Sequence, residues 1–166
     1  MFVWKRRDRR MDESRVVLKC NEGIPAMNKE TEVEIIKKFI VKNKQERIIW
    51  KLQNAKKRKK VFWHFDHPDI FKKEILYPST YMDAEHLEKV LYKMSGTREC
   101  YVIGECYIGT MQLRQACEEA WQGGICIIYC GNGIGYYQGE QEKGAPPRFM
   151  LLAEKCYKTP SKIQEK

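Results

Sequence analysis

The pair Asn132-Gly133 is the sequence feature that most constrains how this chain can fold. It lies between two apolar runs, residues 125–130 and 134–140, and it supplies the two positive φ angles that a type I′ turn needs. The pattern therefore predicts two antiparallel strands joined by a two-residue turn. On that register two pairs of residues face each other: Tyr129 with Tyr136, and Ile128 with Tyr137.

Helices and strands are predicted in mixed order along the rest of the chain. Residues 31–34 form a capping box that begins a helix to about residue 42, and a second helix runs from about residue 44 to the residue before Pro68. Further strands are predicted within 70–77, 100–104 and 148–153. One further helix is predicted from a cap at Thr80 or Asp83 to about residue 94, ended by Gly96, and another at 110–121. We therefore expect an α+β fold, with an N-terminal helical hairpin followed by a mixed or antiparallel sheet of about 4–5 strands and two further helices packed on it.

The length and apolar content are those of one domain. We expect residues 29–155 to form a single α+β domain, residues 1–28 to form a basic and partly mobile arm, and residues 156–166 to form a flexible tail. Both ends are polar and contain few apolar positions, which disfavours packing. No run approaches the roughly 18 apolar residues of a membrane span, so no membrane partner is expected.

Positive charge is concentrated in the first third of the chain. Residues 1–60 contain 19 Lys and Arg against 8 Asp and Glu, whereas residues 61–166 contain 12 against 14, so the first segment carries the whole net charge of +9. Such a segment attracts a polyanion or an acidic protein surface.

The predicted second helix places four of these cations in one stripe. At 100° per residue, the four side chains of this basic stripe lie within about 60° of one another: Lys44, Arg47, Lys51 and Arg58. Four more lysines surround the predicted C-terminal end of the helix: Lys56, Lys57, Lys59 and Lys60. Cations at that end also complement the helix dipole, so an ordinary solvated face is the alternative interpretation.

Seven cysteines, at positions 20, 100, 106, 117, 126, 130 and 156, form no CxxC pair and include members of apolar runs. An odd number in this setting indicates reduced thiols that act as small core residues, which favours a cytoplasmic protein. No histidine stands in a recognisable context beside any of them, so we expect no catalytic cysteine and no enzymatic activity.

Metal-ligating side chains cluster only between residues 64 and 69. His64, Asp66, His67 and Asp69 would converge if the helix unwinds before Pro68, but the spacing fits no established site. We expect neither a metal nor another cofactor.

Three segments, KNKQERIIWKLQNAKKRKK, CYVIGE and GIGYYQGE, resemble a group of small bacterial proteins of unknown function. The resemblance spans residues 42–140. It implies a bacterial source and no particular activity.

These features together predict a non-enzymatic cytoplasmic binding protein whose basic helical hairpin contacts a polyanion, namely nucleic acid. The alternative is a protein-interaction module, such as an inhibitor or immunity factor that binds an acidic protein partner.

Overall fold

The fold is α+β, with one six-stranded antiparallel sheet and helices on both of its faces. The structure is a computed structural model that describes residues 28–79 and 83–153, so nearly all of the predicted N-terminal arm and the whole predicted tail lie outside it. The α-helices are α1 (Lys29–Phe39), α2 (Lys42–Gln53), α3 (Ala55–Arg58), α4 (Ala84–Ser95) and α5 (Leu113–Gln122). The strands are β1 (Leu76–Pro78), β2 (Glu99–Gly104), β3 (Ile108–Gln112), β4 (Cys126–Tyr129), β5 (Ile134–Gln138) and β6 (Arg148–Leu152), and three 3-10 helices cover Val61–Phe65, Pro68–Ile70 and Lys73–Ile75.

The sheet separates two apolar layers. Its strand order is β1-β6-β5-β4-β2-β3, with every neighbouring pair antiparallel. Because side chains alternate across a strand, Tyr101 and Ile103 pack with helices α1 and α2 and the 3-10 helices, whereas Cys100 and Val102 pack with α4 and α5. The helical hairpin α1–α2 thus covers one face of the sheet, and α4 and α5 cover the other.

The Asn132-Gly133 turn is confirmed, but the predicted register is wrong by one residue. Asn132 and Gly133 have φ angles of 51° and 72°, and the Ile134 N–H donates to the Gly131 carbonyl at 2.9 Å. Gly131 also has a positive φ, of 87°. The Cys130 N–H donates to the Ile134 carbonyl, so Gly131 is an extra residue between the paired residues and the turn. This extra residue shifts the pairing, and the observed partners are Ile128 with Tyr136 and Ile127 with Tyr137.

Strand β3 was not predicted, and the sheet has six strands instead of the expected four or five. Residues 110–112 were assigned to the start of a helix, which in fact begins at Leu113. The short sequence Ile-Gly-Thr-Met-Gln pairs along its full length with β2, with Gly109 and Met111 buried and Thr110 exposed. Pairing with β2 therefore outweighs a local sequence that also suits a helix start.

The second helix of the hairpin is shorter than predicted. It ends at Gln53 because Asn54 adopts an extended conformation, with φ −96° and ψ 112°. The Asn54 side chain then accepts hydrogen bonds from the N–H groups of Lys56 and Lys57, which starts the short helix α3. The prediction of one continuous helix up to Pro68 is therefore wrong.

No helix within residues 28–79 and 83–153 is long and apolar enough to cross a membrane.

Candidate functional site

Helix α2 carries three of the predicted basic residues along one flank. Ile48 and Leu52 are buried in the layer between the hairpin and the sheet, which fixes the rotation of the helix. Lys44 and Arg47 consequently lie in solvent, and Lys51 is half-buried at the border of the apolar face. The stripe is thus present over the length of α2.

Arg58 does not belong to this stripe. The break at Asn54 turns its guanidinium inward, where it forms a two-pronged ion pair with the carboxylate of Glu32. Glu32 is only 2% exposed and also accepts a hydrogen bond from the Tyr101 hydroxyl at 2.5 Å. Hydrogen bonds and attraction to Glu32 raise the pKa of Arg58. The prediction that Arg58 is an exposed phosphate-binding residue is therefore wrong. Its side chain instead links α3 to Glu32 on α1 and to Tyr101 on the sheet.

A close contact between Lys51 and His64 joins α2 to the first 3-10 helix. The Lys51 Nζ donates to the His64 Nε2 at 2.6 Å, which requires a neutral imidazole with its proton on Nδ1. Burial lowers the pKa of His64, and the positive charges of Lys51 and Arg47 lower it further. The pKa of Lys51 is lowered by burial and then by the charges of Arg47 and Lys57.

Lys57 extends this group of cations across the helix break. Its ammonium lies 4.2 Å from the centre of the Trp50 ring, in a cation–π contact. We use the term basic cluster for five residues: Lys44, Arg47, Lys51, Lys57 and His64. Three further predicted lysines follow on the exposed surface of α3 and the adjoining turn: Lys56, Lys59 and Lys60.

The basic cluster has little compensating negative charge. Among the described residues, no carboxylate forms an ion pair with Lys44, Arg47, Lys51 or Lys57; the acidic groups in such pairs are held by other cations. Asp66 is near enough to raise the pKa of His64, but its effect is smaller than those of Lys51 and Arg47. The cations therefore repel one another at a surface that a polyanion would neutralise.

Two exposed tryptophans adjoin the cluster, and the sequence reasoning did not identify either of them as functional. Trp50 is 51% exposed and Trp63 is 52% exposed. Trp63 lies on the first 3-10 helix, beyond the break at Asn54, where the sequence had predicted a continuous helix. Trp50 could have been found from its position on α2, 120° from Lys44 and away from the buried face.

The weak metal-ligand cluster at residues 64–69 is not assembled. His64 contacts Lys51, while His67 Nε2 lies 3.2 Å from a carboxylate oxygen of Glu142 in the loop between β5 and β6. Within the described ranges, no three side chains of the His, Cys, Asp or Glu types are grouped to hold a metal ion.

Four of the described cysteines are buried in the layer between the sheet and helices α4 and α5: Cys100, Cys117, Cys126 and Cys130. Burial raises the pKa of all four thiols, to about 12 for Cys126 and Cys130. A high pKa suppresses the reactive thiolate, so these side chains suit a core better than catalysis. Cys20 and Cys156 lie outside the described residues, and Cys106 is exposed.

No model of a known family, no curated protein and no solved structure matches this chain. Any function therefore has to be inferred from the chemistry of its own residues.

Proposed function

We propose that this protein is a non-enzymatic binding protein that contacts the phosphates of nucleic acid through the basic cluster on α2 and the adjoining 3-10 helix. The observation that carries the proposal is the Lys51–His64 contact. An ammonium and an imidazole lie 2.6 Å apart, with Arg47 and Lys57 close enough to lower the pKa of Lys51. The neutral imidazole thus holds the Lys51 ammonium beside the positive charges of Arg47 and Lys57. This crowding of three cations costs folding free energy, and phosphate groups would offset that cost.

The surrounding lysines favour an extended polyanion over a small one. Lys56, Lys59 and Lys60 are exposed and continue the positive surface from the end of α2 around the turn into the 3-10 helix. Successive phosphates of a nucleic-acid strand can contact successive cations, and each contact releases condensed counterions. Binding should therefore weaken steeply as the salt concentration rises.

Charge reversal at three positions tests the proposal. The variant Lys44→Glu, Arg47→Glu, Lys51→Glu should lose most of its affinity for a labelled oligonucleotide and most of the salt dependence. Each contact contributes a slope of about −0.9 in log K against log salt for duplex DNA, or about −0.7 for a single strand. Fluorescence anisotropy over a range of salt concentrations measures both quantities.

A matched control is available on the other face of the sheet. The variant Lys89→Glu, Lys93→Glu, Arg114→Glu changes the net charge by the same amount on α4 and α5. The sheet and both helix layers separate these residues from the basic cluster, and exposed charges more than about 10 Å apart are largely screened at 0.1 M salt. This control should bind nearly as well as the unmodified protein. Equal losses in the two variants, or no binding by the unmodified protein at low salt, would overturn the proposal and leave an acidic protein as the partner to test.

A further inference from the structure

The exposed tryptophans at the basic cluster suggest which form of nucleic acid it takes. Trp50 directly precedes Lys51, and Trp63 directly precedes His64, so the Lys51–His64 contact brings the two tryptophan-bearing segments together. Each indole is about half exposed, although burial would be expected for side chains of this size and hydrophobicity. Both are thus available to a ligand that also meets the cations.

The Trp63 ring packs on a buried aromatic side chain, and the Trp50 ring has a cation over it. The centres of the Phe62 and Trp63 rings are 4.8 Å apart, and Phe62 is buried in the apolar layer between the hairpin and the sheet. The Lys57 ammonium lies over the Trp50 ring. An aromatic platform with a cation beside it matches a base together with its phosphate, because the base stacks on the ring while the phosphate pairs with the lysine.

We infer, building on the proposed function, that the basic cluster binds single-stranded nucleic acid, with unpaired bases stacked on Trp50 and Trp63 and phosphates on the surrounding lysines. Bases within a duplex already stack on one another and leave no free base face for an indole, so the tryptophans would add little there. The tryptophans thus favour the single strand, while the cations bind any polyanion.

A third exposed tryptophan, Trp121, does not share this setting. Trp121 is 43% exposed and has the Arg148 guanidinium 5.4 Å from its ring centre, but it lies on α5 close in sequence to Glu118 and Glu119. Trp121 therefore has an indole ring and one nearby cation, but it is not surrounded by a positively charged surface. Trp121 provides a matched control for the other two tryptophans.

The test compares oligo(dT) of about 16 nucleotides, close to the upper size of a single-strand site, with a duplex of equal length. Trp50→Ala and Trp63→Ala should each weaken binding of the single strand about tenfold, because stacking contributes roughly 1–3 kcal/mol per base. Neither should change duplex binding or the slope of log K against log salt. Trp121→Ala should change neither affinity.

Tryptophan fluorescence provides a second readout. Stacked bases quench indole emission, so oligo(dT) should quench the unmodified protein, and the quenching should diminish in Trp50→Ala and in Trp63→Ala. If the single strand and the duplex bind equally and the tryptophan variants behave like Trp121→Ala, this inference fails while the charge-reversal result still supports phosphate binding. If the unmodified protein binds neither oligonucleotide, the proposed function fails with it.

Discussion

At the scale of single residues, position along the chain did not determine which cations face solvent. Arg58 and Lys59 are sequence neighbours in a basic run, yet Arg58 is paired with buried Glu32 while Lys59 is exposed. A guanidinium can satisfy both carboxylate oxygens and the Leu52 carbonyl at once, which makes its burial tolerable. Sequence reasoning treated both as surface charges because nothing local reveals a partner 26 residues away.

Arg58→Met should destabilise the protein by about 3–5 kcal/mol, because it leaves the Glu32 carboxylate buried without its cation. Lys59→Met, which removes the same charge one residue later from an exposed site, should change stability by about 0.5 kcal/mol or less. Urea unfolding followed by circular dichroism measures the difference. Equal stability of the two variants would mean that the Arg58–Glu32 pair contributes nothing to the fold.

His64 should couple nucleic-acid binding to pH. Burial and the charges of Lys51, Arg47 and Lys44 lower its pKa, and Asp66 opposes this lowering only in part, so the free protein favours the neutral imidazole. Bound phosphates would raise this pKa and cause proton uptake, so affinity should increase as the pH falls below about 6.5, by up to about tenfold per unit of pKa change. Affinity for oligo(dT), whose bases do not titrate in this range, provides the measurement.

The control for this prediction is His64→Gln, which cannot titrate and should show a flat profile below pH 6.5. In the absence of nucleic acid, lowering the pH should weaken the fold, whereas in its presence lowering the pH should strengthen binding. Because the folded-state pKa is lowered, the unfolded chain binds more protons, and the free energy of unfolding should decrease as the pH falls through the same window. A wild-type profile as flat as that of the variant would show that His64 does not face the bound phosphates.

At the scale of elements, strong local patterns predicted the α+β class and several elements, whereas long-range pairing decided the remainder. Helix α4 lies where its sequence places it, between the Asp83 cap and Gly96 in the left-handed conformation, because both ends have local signals. Strand β3 was missed because its five residues contain no local signal for the pairing with β2 that stabilises it. Lys44, Arg47 and Lys51 lie along one flank of α2, but Arg58 is not in line with them because the helix stops before Asn54.

The break at Asn54 can be tested through its capping hydrogen bonds. Asn54→Ala removes the acceptor for the N–H groups of Lys56 and Lys57 and should lower stability by about 0.5–2 kcal/mol. Asn54→Asp keeps a capping oxygen and adds a negative charge at a helix start, so it should remain as stable as the unmodified protein. Thermal unfolding distinguishes the two. A more stable alanine variant would indicate that the chain prefers a continuous helix here.

At the scale of the whole molecule, the sheet separates surfaces of different charge. Residues 29–60 contain 12 basic and 4 acidic side chains, whereas residues 83–123, which include α4 and α5, contain 7 acidic and 4 basic side chains. This asymmetry should orient the protein, with the hairpin α1–α2 facing an approaching polyanion and the α4–α5 layer facing away. The charge asymmetry of the sequence therefore corresponds to a division in space, although the order of elements alone did not predict that the sheet would lie between the two charged layers.

The reactivity of the buried thiols shows whether the α4–α5 layer opens locally or only when the whole molecule unfolds. Cys100, Cys117, Cys126 and Cys130 all lie in the α4–α5 layer, and burial raises their pKa, whereas Cys106 is exposed. Alkylation followed by peptide mass spectrometry should therefore label Cys106 faster than the four buried thiols under native conditions. The four buried thiols should react slowly and together, at a rate that increases in parallel with urea unfolding, because global opening is the step that exposes them. If one of the four reacts as fast as Cys106 while the other three stay protected, the layer opens locally instead of with the whole fold.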